Sequence, residues 1–300
     1  MPKIINSDLL ATAGVAFNAA YMRGLGQAET QYASIATTIQ SSTGRNEYGW
    51  LGKFPSMKKW IGDRVIEKFK AHKYVLANES YEMTIPVDRV DFEDDDLGMY
   101  GALFEEMGSA AAAHPDELVW GLLQAAFDTN CYDGQFFFDT DHPVLDADGA
   151  LTSVSNMTAG AGSPWYLIDD TRALKPIIYQ ERKKAQFVAL DKPDDPNVFN
   201  RAEFLYGIDN RCNVGFGFWQ FAHGSKAVLD GDSYGAARAA MRSMRGDRGR
   251  KLGIRPKLLV VPPSLEKKGL QLINATNDAA GASNVWQNTA KLMVAEWLDG

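Results

Sequence analysis

Two cysteines and four histidines in 300 residues leave this chain poor in the side chains that most often carry chemistry. Cys131 and Cys212 cannot build a disulfide framework or a multi-cysteine zinc site. That points to a reducing compartment, with a single bridge between them left open. His72, His114, His142 and His223 stand in different local settings and none falls in an HExxH pair, so each reads as structural. No GxSxG is present, and Ser225 in HGSK and Ser264 in PPSLE lack the strand, elbow and helix of a hydrolase nucleophile. The GFGF run at 215–218 lacks the further glycine, the lysine-serine pair and the following helix of a phosphate loop. Its glycines read instead as relief of crowding in a packed strand.

Positive charge is also scarce. A net charge of -7 and a pI near 5.2 oppose a grip on duplex nucleic acid, which needs clustered Lys and Arg. Long apolar runs are missing: the opening MPKIINSDLLATAGVAF carries Asp8 within its apolar part, so it reads as neither secretory signal nor membrane span, and a soluble intracellular product is expected. No repeat at a solenoid or propeller period occurs. With 45% hydrophobic and 23% charged residues the chain has ordinary globular composition, and its length suits one elaborate domain or, preferably, two.

The richest stretch is CYDGQFFFDTDHPVLD at 131–146, with four acids, a histidine and three consecutive phenylalanines. Asp139, Asp141 and His142 could offer oxygen and imidazole ligands to a cation, which would make a metal-dependent hydrolase the enzyme alternative. No further ligands stand out. The preferred reading is a turn, in which Phe136, Phe137 and Phe138 seek burial, Gly134 and Pro143 punctuate, and short acids bond nearby backbone N–H groups.

Around it the chain divides by texture. Ser7 and Asp8 open a helix over 7–23 with Leu9, Leu10, Ala13, Ala16, Phe17 and Ala20 as its apolar positions. Residues 27–44 are small and polar and read as an arm ordered by lying on another surface, a neighbouring copy or simply a terminal extension. Residues 64–76 and the alternating Tyr81, Met83, Ile85 and Val87 suggest a long hairpin turning at 77–80, with Pro86 forcing its second strand to an edge. Lys68, Lys70, His72 and Lys73 on one arm and Asp91 and the acids 93–96 at its exit suit docking onto a copy, or a solvated face. Leu97, Tyr100, Phe104, Met107 and Ala111 begin a long helix that His114-Pro115 should bend or split, reaching about 128. Residues 147–163 read as a surface loop. Further on come a strand at 185–190, a helix-capable run from Phe204, a helix over 233–245, a buried strand at 257–261, a helix from Pro262 to about 274 and an alternating strand at 291–298.

Arg238, Arg242, Arg245, Arg248, Arg250 and Lys251 form the one cationic cluster; it can meet phosphate, but in an acidic chain without interleaved aromatics a protein partner is preferred. Trp219, Trp286 and Trp297 read as core or interface anchors.

Four stretches carry a resemblance: CYDGQFFFDTDHPV at 131–144, WYLIDDTRALKPIIYQERK at 165–183, YGIDNRCNVGFGFWQFAHGSK at 206–226 and LLVVPPSLE at 258–266. Together they resemble the Mu-like phage major head subunit family along nearly the whole chain. The resemblance implies an α+β, Hong Kong 97-type major capsid fold. It implies an N-terminal arm (1–50), an E-loop hairpin (51–92), a peripheral domain with a long spine helix (93–163), an axial domain (164–287), and a C-terminal strand (288–300) returning to the peripheral domain. It further implies a self-assembling head protein whose hexamers and pentamers close an icosahedral shell around double-stranded DNA in a virion assembled in the bacterial cytoplasm. Implied partners are other copies, a scaffolding protein, a portal and a possible decoration protein, with DNA met only non-specifically and no membrane. No catalytic, cofactor or metal residues come with the family. Another virion subunit is the remaining alternative.

Overall fold

The computed structural model describes residues 5–52, 54, 73–94, 97–192, 194–277 and 281–299. Helix α1 (Ser7–Gln27) starts at Asn6, whose side chain accepts the Leu9 N–H at 2.8 Å. Strands β1 (Ala36–Gln40) and β2 (Arg45–Glu47) follow, then β3 (Val75–Ala77) and β4 (Glu79–Asp88). Helix α2 (Arg89–Asp94) leads into the long α3 (Tyr100–Gln124). The second half alternates short strands and helices: β5 (His142–Leu145), β6 (Leu151–Val154), β7 (Met157–Thr158), β8 (Trp165–Ile168), β9 (Ile177–Leu190), α4 (Pro196–Arg201), β10 (Glu203–Phe216) and β11 (Ala222–Ser225). It closes with α5 (Gly231–Ser243), β12 (Arg245–Gly246), β13 (Arg250–Lys251), β14 (Leu258–Val261), α6 (Glu266–Ile273) and β15 (Lys291–Val294).

One sheet has the order β1-β9-β10-β4, and a second the order β15-β14-β8-β11-β7. In the first, β1 runs parallel to β9 and the remaining pairs are antiparallel. A single rung, Gln40, Glu181, Cys212 and Glu79, crosses all four strands. One core forms around the second sheet, where β8 and β14 are buried along their whole length. The other lies between α1, the first half of α3 and the first sheet, where Phe17 packs on Phe104 at 4.4 Å and on Tyr206 at 5.1 Å.

At Gly24 and Gly108 helices α1 and α3 approach so closely that no side chain fits between their backbones. A Cβ at Gly24 would lie 1.8 Å from the Glu105 carbonyl oxygen, and one at Gly108 would lie 2.1 Å from that of Tyr21. Glycine at both positions sets the crossing. Pro115 does not split α3, which runs through it without a break. The buried stripe Phe104, Met107, Asp116, Val119, Trp120 and Leu123 spans both sides of the proline, so packing outweighs its helix penalty of about 3 kcal/mol.

Several expectations are corrected. No reversal occurs at 77–80, because Asn78 alone separates β3 from β4. The hairpin's paired stems are β2 and β3, and β4 pairs instead with β10 over residues 203–212. Its first arm at 64–72, with Lys68, Lys70 and His72, lies outside the described residues. Pro86 does sit in an edge strand, with β10 on its one paired side. The stems are fastened by buried Gln180: its Oε1 accepts from the Tyr48 hydroxyl at 2.7 Å, and its Nε2 donates to the Leu76 carbonyl at 3.2 Å and the Asn78 side chain at 2.7 Å.

The run from Phe204 is strand, because Phe204, Tyr206 and Ile208 alternate inward, and Ala202, with φ of 57°, ends α4 just before it. Residues 147–163 hold β6 and β7, with β6 closing a hairpin on β5. The arm is bound to its own chain: β1 is an edge strand of the first sheet, and the Asp116 carboxylate accepts the backbone N–H groups of Gln31 and Tyr32. Strand β15 pairs with β14 in the second sheet, and the turn after it, Glu296–Leu298, packs against α3.

Candidate functional site

Residues 131–146 fold as a tight loop whose apolar side chains face the main core. Phe137 and Phe138 are buried and Phe137 stacks on Phe216 at 4.4 Å, whereas Phe136 stays partly exposed. Gly134 supplies φ of 93° at the tip. The short acids bond backbone, as the turn reading expects: Asp139 accepts from Phe136 and Thr140, and Asp146 from Asp148 and Ala150.

Asp139, Asp141 and His142 are not brought together as ligands. His142 opens β5 and points inward, while Asp141, just before the strand, faces solvent. The hydrogen bond with Asp139, then partial desolvation, raises the Asp141 carboxyl. His142 is fully buried, stacked face to face on Trp219 at 3.9 Å, with Nδ1 at 2.8 Å from Asp133 Oδ2 and Nε2 at 3.2 Å from Asn156 Oδ1. Cys131 completes the group, its Sγ donating to Asp133 Oδ1 at 3.1 Å. Burial pushes the Cys131 thiol well up. Burial also pushes Asp133 upward, but hydrogen bonds from His142 and Cys131 outweigh it and leave the carboxyl below its usual range.

Asn156 is the residue that sequence reasoning missed. Its Nδ2 donates to the carbonyls of Phe137, Trp219 and Ala222 at 2.8, 3.2 and 3.4 Å, and its Oδ1 accepts from the Asp139 N–H at 3.0 Å as well as from His142. One amide thus ties the loop to β11 and to the Trp219 turn. Set among Ser155, Met157 and Thr158 in a small-polar stretch, it carries no local signal that marks it as buried.

The other histidines and serines hold structure. His72 lies outside the described residues. His114 contacts Asn210 and the Tyr81 ring, and burial lowers its pKa. Ser225 Oγ accepts the Ala227 N–H, and Ser264 Oγ donates to Asp299. Neither serine is joined to a histidine by a hydrogen bond among the described residues. His223 is buried in β11 with Nε2 at 2.9 Å from Thr158 Oγ1, and desolvation depresses its pKa to about 4. Its stability contribution is therefore complete above its unfolded value near 6.5 and is lost as pH falls toward 4, reaching about 2.5 kcal/mol by pH ~4.5. Denaturant midpoints of wild type and His223→Gln, measured from pH 7 downward, should diverge by that amount; parallel curves would contradict the assignment.

The arginine cluster is largely committed to its own chain: Arg238 donates to the Pro256 carbonyl at 2.8 Å, Arg245 to Gly249 at 2.7 Å and Arg250 to Phe54 at 2.8 Å. Arg242, Arg248 and Lys251 remain exposed. Trp219 is a core anchor, Trp286 meets Tyr234 edge-on at 5.3 Å, and Trp297 is half-exposed. In GFGF, a Cβ at Gly217 would lie 2.6 Å from the Lys175 carbonyl oxygen and one at Gly215 would lie 2.9 Å from the Tyr74 hydroxyl, so close packing accounts for both glycines. Large apolar side chains stand in solvent instead: Val15 and Met22 on α1, Leu103 on α3, Val188 on β9, and Phe199, 86% exposed, on α4.

The family described as Mu-like prophage major head subunit gpT matches residues 10–298. The major capsid protein of Escherichia phage Mu is 45% identical over 287 residues, covering 93% of this chain and 94% of that relative. A chain of the procapsid of bacteriophage JBD30 superposes with a TM-score of 0.87 at 45% identity, covering 98% of this chain and 100% of the other. A chain of the JBD30 capsid decorated with minor capsid protein trimers superposes at 0.77 and 34% identity, over 92% and 93% of the two chains.

Proposed function

We propose that this chain, which belongs to the Mu-like prophage major head subunit gpT family and is a major capsid protein, works by tiling with identical copies and turns over no substrate. The observation that carries the proposal is the end-to-end match with the JBD30 procapsid chain, whose fold repeats across a closed assembly. The physical logic agrees with it. Contacts that close by rotation make rings, and modest contacts repeated over many copies sum to a stable wall.

In this reading residues 1–50 are the arm, 51–92 the extended loop, 93–163 the peripheral domain around α3, and 164–287 the axial domain, with 288–300 returning toward α3. Hexamers and pentamers would be joined where the exposed apolar residues of α1, α3, β9 and α4 meet neighbours. A scaffolding protein and a portal would take part during assembly in the host cytoplasm, a minor capsid protein could decorate the finished shell as in JBD30, and DNA would be enclosed without tight binding. The acidic balance fits that last role, since a wall that gripped DNA would hinder its entry and exit.

Electron microscopy and sedimentation of the chain co-produced with its scaffold should show rings or closed shells. A species that stays monomeric under every assembly condition would overturn the proposal, and helical tubes alone would point to a tail-type subunit.

A further inference from the structure

Three different donor atoms converge in the buried loop: Cys131 Sγ, an Asp133 carboxylate oxygen and a His142 ring nitrogen, all within 4.8 Å of one another. We propose that they form a structural site for a zinc-class divalent cation that ties the two ends of the 131–142 loop together.

The donor chemistry selects the ion. A thiolate, an imidazole and a carboxylate together suit zinc, whereas calcium and magnesium take oxygen ligands. Histidines that bind metal usually donate their second N–H to an oxygen that fixes the ring. His142 does this through Nε2 to Asn156 Oδ1, and that amide cannot flip because its Nδ2 already faces three carbonyl oxygens. Nδ1 faces the Asp133 carboxylate at 2.8 Å, with the Cys131 sulfur 3.1 Å from its other oxygen. Three electron-rich atoms so placed need positive charge between them, either two protons or one cation. Binding releases the thiol proton and any proton held between Nδ1 and Asp133 to solvent, so affinity should rise with pH. A cavity of about 40 Å³, lined by Asp133, Tyr132 and Asp247, meets the group on its Asp133 side and has room for a water.

The site differs from a hydrolytic centre built on Asp139 and Asp141, which take no part in it. It also lies inside the fold, so assembly and metal binding can be tested separately.

Zinc is the probe. Elemental analysis of the folded, purified chain after zinc loading and desalting should find one ion per chain, lost in Cys131→Ser. Serine still offers a hydroxyl to Asp133, so that variant should fold. Cobalt(II) in place of zinc should give the near-ultraviolet band of a thiolate-metal bond, a readout that needs no variant. Zinc should also raise the melting temperature of wild type but not of Cys131→Ser. Absence of stoichiometric zinc in folded wild type, a cobalt complex without the thiolate band, or full retention of zinc by Cys131→Ser would each overturn the site.

Discussion

Deletion of residues 1–44 should abolish folding of the subunit, and not merely its assembly. Read from sequence, residues 27–44 have few anchors and suggest the opposite result, a folded chain that fails to close particles. The structure reverses that expectation. Leu10, Ala13, Phe17, Ala20, Tyr21, Ile35 and Ala36 are all buried within their own chain. At roughly 1.5–3 kcal/mol for each large apolar side chain, their removal approaches or exceeds the ~5–15 kcal/mol that holds a typical domain together. It would also bare the face of α3 and one edge of β9, and leave the buried Asp116 carboxylate without its two backbone donors. The truncated chain should be insoluble, or soluble with a melting curve lacking cooperativity by circular dichroism. A truncated protein that melts cooperatively within a few degrees of the full chain would contradict this account.

Asn156→Ala is the point substitution expected to cost most at the loop. It strips the Asp139 N–H and the His142 ring nitrogen of a partner at once and leaves the carbonyls of Phe137, Trp219 and Ala222 without that donor in a buried setting. At about 1–3 kcal/mol for each buried polar group left unpaired, some of which relax, a loss of about 4 kcal/mol follows. For a chain of this size that is a fall of roughly 10 °C in melting temperature. Asn156→Asp should be no milder, because an acceptor would then face three acceptors. Differential scanning calorimetry of both variants decides the matter, and a change under about 1 kcal/mol would mean that the amide is replaceable by water.

What could be read from the chain beforehand was whatever depends on neighbours in sequence. The stripe of α3, the buried run at β14 and the edge position forced by Pro86 are written in local periodicity or in a missing N–H. Pairing choices are not. Residues 79–88 look like one arm of a hairpin, but their partner lies more than a hundred positions away in β10, and nothing local announces it. At the loop, His142 stood out but its partners did not. Reading by proximity grouped it with Asp139 and Asp141, whereas the fold delivered it to Asp133 and Asn156. The tight crossing of α1 on α3 was hidden because the residues that permit it, Gly24 and Gly108, count in composition as weakness.

The rung Gln40, Glu181, Cys212 and Glu79 has a mechanical meaning. The chain leaves one edge of the sheet at Gln40 and rejoins the opposite edge at Glu79, and these two points lie on the same crosswise line. The described residues between them are fastened back to the body at Gln180, where Tyr48, Leu76 and Asn78 meet, and again where the Tyr74 hydroxyl accepts the Phe216 N–H and Asn213 donates to the Ala77 carbonyl. Rotation about that line would unpack Tyr48, Leu51 and Leu76 from the main core, while sliding along the strands would break register at both edges together. Both ends of the segment are thus carried by one line of the sheet, and any force on it reaches the two edge strands together.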